Sequence, residues 1–129
     1  MAVVSILTVS LLFGGMALYT FGFAPFIFAS LPMAMAGKVL RQAFPYYYLF
    51  IIITATIAMA GLWPIDRLGA ALLATTAGMA IFARQILMPI VNFFKDKNEV
   101  RNFNRVHLLS VMLNTAQLAA VATVLVRMA

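Results

Sequence analysis

The fold class this sequence predicts is all-α: an integral membrane four-helix bundle, running up and down with short basic connectors. Two observations carry it. The hydrophobic fraction is 65% and the mean hydropathy +1.05, well above the roughly 45–50% apolar usage of soluble domains. A single domain of 129 residues has too little interior to hide that much apolar surface from water. The second observation is spacing. Four apolar segments reach the roughly 20 residues that cross a bilayer as a helix, and most of the charge falls between them.

The first span is expected over residues 3–31, long enough to tilt or bend, with Pro25 as a kink. Ser10, Gly14, Gly15 and Gly22 offer small surfaces for close helix approach. The opening MAVVSILTVS has no basic stretch ahead of its apolar run, so it reads as a retained span and not a cleaved signal. Residues 32–43, PMAMAGKVLRQA, form a short amphipathic connector expected at the membrane surface. Pro45 suits the first turn of the second span, residues 45–62. Phe44, Tyr46, Tyr47 and Tyr48 form an aromatic belt at its start, and Trp63 marks the opposite interface. Trp63 to Arg67 is a tight turn. The third span, residues 68–88, carries Arg84 near its far end and is closed by Pro89. Asn92 to Arg105 is the most polar stretch, and the fourth span, residues 106–126, follows with Arg127 behind it.

Charge placement sets an orientation. Lys38, Arg41, Arg84, Lys95, Lys97, Arg101 and Arg105 fall on one side, and only Arg67 and Arg127 on the other. The positive-inside rule puts the side with seven bases in the cytoplasm and both termini outside. The same bases do not read as a nucleic-acid surface, because they lie in connectors with no aromatic-lined groove beside them. With no cysteine there is neither a disulfide nor a thiolate metal site. Asp66, Asp96 and Glu99 all lie in connectors, so no carboxylate stands inside a span to carry coupled protons. A Ser/His/Asp set, a phosphate-cradling glycine loop and paired carboxylates are all missing, which removes hydrolase and kinase chemistry.

The candidate site is centred on NFNRVHLLSVMLNTAQ, residues 102–117. His107, the one histidine, is followed at intervals of three, four and three residues by Ser110, Asn114 and Gln117, which places all four on one helix face. Inside a bilayer such a face needs partners. Its plain use is hydrogen bonding between helices, about 0.6 kcal/mol per bond on average. Its sharper use is a ligand pocket near the cytoplasmic end, turned toward the other spans, with Arg84, Arg105 and Tyr47 converging on it. A haem with His107 as one axial ligand is the alternative, one of the methionines supplying the other. Against it, a single histidine cannot give bis-His ligation within one chain, and methionines at helical spacing more often pack than ligate. Copper finds neither a Met-x-x-Met run nor a histidine cluster.

Leu31-Pro32, then Gly37, then Phe44-Pro45-Tyr46-Tyr47-Tyr48 resembles the LP…G…FP-x-Y pattern of transmembrane-protein-205-like proteins. Arg105-x-His107-x-x-Ser110-x-x-x-Asn114 resembles the run at the head of that family's last span, and Arg84 with Pro89 is similar in kind to a pair ending its third. The resemblance implies a four-helix integral membrane protein, catalogued in bacteria mostly as a domain of unknown function. The layout also looks like that of copper-resistance D proteins and of the haem-binding membrane protoporphyrinogen oxidase. The chain departs from the animal proteins in its shorter third connector and its lack of cysteine, which argues against thiol-based metal handling.

The expectation is therefore a protein of the bacterial inner membrane with periplasmic termini. It is expected to be non-enzymatic and to bind a small ligand, or to dock as an accessory subunit to a larger membrane complex. Besides the lipid bilayer, the expected partner is a second copy or that larger complex. A haem-linked redox protein and an oligomeric transporter are the alternatives; for oligomers, Thr54-Ala58-Gly61 and Ala74-Gly78 offer small-residue faces.

Overall fold

The computed structural model describes residues 2–128. Its four long helices are α1 Val3–Ser30, α2 Met33–Leu62, α3 Arg67–Asp96 and α4 Val100–Met128. Each is long and apolar enough to cross a membrane, and the chain is a multi-pass membrane protein of all-α class. Short breaks separate the helices, each with a local cause. Leu31 is extended, as a residue before proline prefers, and parts α1 from α2. Asp66 caps α3 by accepting the Gly69 N–H at 3.1 Å. Asn98, with φ of 56°, reverses the chain between α3 and α4.

Helix α1 ends within a residue of the sequence expectation, and the other three run further. The amphipathic connector is the opening part of α2, so Pro45 sits inside a helix and not at its start. Helix α3 passes through Pro89 as far as Asp96, and α4 begins at Val100. In lipid the backbone has no outside partner, so an interrupted helix costs more than one bond lost to proline. At Pro25 and Pro89 the chain adopts a wider turn. Ala24 N–H bonds the Tyr19 carbonyl and Met88 N–H bonds the Ala83 carbonyl, five residues back in each case. These π turns, Tyr19–Phe23 and Ala83–Leu87, make room for the proline ring without breaking the helix.

Helix α2 packs along α3, α1 lies on α2, and α4 closes the ring against α1 and α3. Leu12 and Met16, Tyr48 and Ile51, Leu73, and Val121 and Val124 fill the core from the four helices in turn. Helix α3 adds Ala70, Ala77, Ala80 and Ala83, small side chains that let α2 approach closely. The face Thr54-Ala58-Gly61 is buried within the bundle, and a Cβ on Gly61 would lie 2.6 Å from Ser5 Oγ of α1. That face therefore serves contacts within the chain, whereas Ala74 and Gly78 stand exposed. Only 17–33% of each apolar window is buried inside the bundle, so the outer faces, with Ile53, Ile57 and Leu108, need lipid as their solvent.

Two ion pairs tie the ends. Arg41 of α2 holds both carboxylate oxygens of Asp96 at 2.8 and 2.9 Å, and Arg127 of α4 holds those of Asp66 at 3.0 Å each. The Arg127 guanidinium, helped by the Gly69 N–H, keeps the Asp66 carboxyl below the usual carboxylate range.

Candidate functional site

At the basic end, where α1 stops and α4 starts, a groove of about 280 Å3 opens among the helices. Phe28, Met33, Leu40, Phe44, Met88 and Val91 give it apolar walls. Arg41, Asn92, Lys95, His107 and Ser110 supply its polar groups, and among the described residues no acid lines it. The Lys95 ammonium lies 5.3 Å from the Phe103 ring centre. Gly37 makes room for it on α2, since a Cβ there would sit 3.2 Å from Nζ. Among the described residues, Asn92, Lys95 and the imidazole of His107 have no hydrogen-bond or ion-pair partner, while Arg41 is bound up with Asp96.

The polar face of α4 spreads over three depths and does not line one pocket. His107 is exposed at the groove, its ring stacked on Phe103 at 5.6 Å, so the imidazole does not turn inward as expected. Ser110 is buried and donates to the His107 carbonyl of its own helix at 2.7 Å. Deeper, Asn114 accepts from Tyr47 OH at 2.7 Å and donates to Thr20 Oγ1 at 2.9 Å, joining α4 to α2 and α1. The Tyr47 ring stacks on Tyr19 at 4.0 Å. Deeper still, Gln117 is fully buried; its Nε2 donates to the Thr76 carbonyl of α3 at 2.9 Å, and its Oε1 has no partner among the described residues.

Arg84 does not line the groove. Its Nε donates to the Pro45 carbonyl at 3.2 Å, which binds α3 to α2, and its Nη1 donates to Gln85 Oε1 of its own helix at 3.2 Å. Arg105 is exposed and also lies outside the groove. Sequence reasoning missed Asn92, Lys95, Phe103 and Thr20. The first two share a helical face with Met88, a pattern legible only if α3 is carried past Pro89. Thr20 is a small hydroxyl among aromatics, and nothing in the local sequence singles it out.

Among the described residues no group of three or more His, Cys, Asp or Glu is placed to hold a metal ion. A second groove of about 490 Å3, between Tyr19 and Phe23 of α1 and Tyr46 and Phe50 of α2, carries no charged side chain.

Residues 7–100 match a family model described as "Domain of unknown function (DUF4149)". No curated protein and no solved structure matches the chain.

Proposed function

The chain belongs to the DUF4149 family, and from that footing we propose that it is a non-enzymatic membrane protein that binds a small ligand in the groove at its basic end. One observation carries the reading: three side chains with donors left over, Asn92, Lys95 and His107, share a groove with apolar walls and no acid. Unused donors beside apolar surface are what an amphiphilic ligand needs. The finer likeness to transmembrane-protein-205-like proteins belongs to this proposal too. It is supported by Tyr47 and Asn114, which come from two of the resembling motifs 67 residues apart and meet at 2.7 Å. The proposed setting is a bacterial inner membrane with the groove facing the cytoplasm and both termini periplasmic, supported by the count of seven bases against two.

The test is purification from the native membrane in mild detergent, with mass spectrometry of the organic extract and of copurifying proteins. A stoichiometric small molecule that is lost when Gly37→Leu fills the groove supports the reading. A stoichiometric protein partner with no small molecule makes the chain an accessory subunit instead. A haem-linked redox protein would hold the group through His107 and a methionine, and the haem would supply one-electron chemistry. The exposed imidazole, stacked on Phe103, suits that role less well than it suits hydrogen bonding to a ligand. A Soret band lost in His107→Ala would establish the haem reading. A defined oligomer that moves solute in vesicles would establish the transporter.

A further inference from the structure

We infer that the occupant of this groove is an anionic lipid of the surrounding leaflet, its head group held by Lys95, Asn92 and His107 and its acyl chain lying on the apolar wall. The inference rests on the ligand-binding reading and names the ligand's class. Charge is the first support. Two of the groove's side chains are cationic, but Arg41 already spends both of its donor arms on Asp96, so Lys95 is the cation with no counter-ion. Glu99, the other acid at this end, is not among the lining residues. An anion entering the groove meets an uncompensated ammonium, and the Asp96 carboxylate held by Arg41 is already paired.

Placement is the second support. A lysine at a membrane surface ordinarily stretches its ammonium toward water and phosphates. Here the Lys95 ammonium lies over Phe103 and against the backbone of Gly37, toward α2. The stem is thus directed into the groove, and Asn92, one turn earlier on the same helix, lines it too. The third support is the wall. Met33 and Phe28 line the groove and are also exposed on the outside of the bundle, at 77% and 51%, so an apolar tail can leave the groove directly into lipid. A free anion such as phosphate would use the three donors and leave this wall idle, which favours a lipid over a soluble anion.

The experiment uses the full chain in mild detergent, with native mass spectrometry to count bound lipids and a melting curve as second readout. Phosphatidylglycerol is expected to bind at one per chain and to raise the melting temperature, with phosphatidylcholine and inorganic phosphate doing neither. Lys95→Gln is expected to weaken phosphatidylglycerol binding about fivefold, the worth of one lysine at an anionic membrane surface. Lys95→Arg restores it. Lys97→Gln, an exposed cation over Phe93 outside the groove, changes it less than about twofold. Lys95 is itself exposed, so equal unliganded melting temperatures for these variants check that all of them fold.

Equal losses in Lys97→Gln and Lys95→Gln would reduce the effect to surface charge and overturn the inference. Displacement of phosphatidylglycerol by phosphate alone would make the ligand a soluble anion and overturn it too. Phosphatidylcholine bound as tightly, and lost on Gly37→Leu, would leave the ligand-binding reading standing and remove the anionic class. If none of these probes binds and no small molecule copurifies, both fall.

Discussion

Among the described residues Asn114 is the one side chain that bonds side chains of two other helices, Tyr47 across the bundle and Thr20 beside it. Hydrogen bonds between helices in lipid are worth about 0.6 kcal/mol on average and reach about 1.7 kcal/mol. Tyr47→Phe removes one bond and keeps the ring on Tyr19, so it is expected to cost about 0.6 kcal/mol. Asn114→Ala removes two and strands a tyrosine hydroxyl, for an expected cost of about 1–3 kcal/mol. Reversible unfolding in mixed micelles gives both values, and equal costs would deny Asn114 its joining role. Gln117 presents the opposite case. It makes one bond, to a backbone carbonyl of α3, and leaves Oε1 unpartnered with the residue fully buried. Gln117→Met keeps the volume and removes the stranded oxygen, so it is expected to be neutral or stabilising by up to about 1 kcal/mol. A loss above about 2 kcal/mol in the same assay would mean the amide is better satisfied than its bonds indicate. The intervals of three, four and three made Asn114 and Gln117 legible as inward-facing. They put His107 on the same inward face, and there the exposed imidazole departs from them, because whether a helix end is covered depends on how far its neighbours extend.

The prolines show why the number of helices was readable and their lengths were not. In a soluble protein Pro45 and Pro89 mark boundaries. Here the helices continue across both, since lipid offers a broken backbone no alternative partner. The π turn ahead of Pro25 also carries a consequence for the polar network. It contains both Tyr19, which stacks on Tyr47, and Thr20, which accepts from Asn114. Replacing an interior helix proline by alanine ordinarily gains about 3 kcal/mol. Pro25→Ala is expected to fall short of that gain by about 0.6–1.7 kcal/mol, because tightening the turn turns Thr20 away from Asn114 and loses that bond. Thr20→Val made in the same background tests the link. If tightening has already broken the bond, the second substitution adds nothing. A full gain in Pro25→Ala alone would show that the turn merely accommodates a ring.

Charge is distributed along the bundle axis as unevenly as apolar surface is across it. The basic end carries seven bases against Asp96 and Glu99, and the other end two bases against Asp66. At that second end, among the described residues, Arg127 is paired with Asp66, and Arg67 lies 5.5 Å from the Trp63 ring centre. This asymmetry was legible because it depends only on position along the chain. The groove was not, because Lys95 and Asn92 come from α3 while Gly37 and Phe103 come from its neighbours. The orientation matters to the proposed ligand, because anionic lipid enriched in one leaflet reaches only a groove that opens there. A chain without cysteine allows a clean test, since each introduced thiol reports a single position. Ile65→Cys, in the exposed α2–α3 turn, is expected to react with an impermeant maleimide in intact spheroplasts. Lys97→Cys, exposed between α3 and α4, is expected to react only after the membrane is opened. The reverse pattern would place the groove in the outer leaflet, where Lys95 would require an anionic lipid from a different pool.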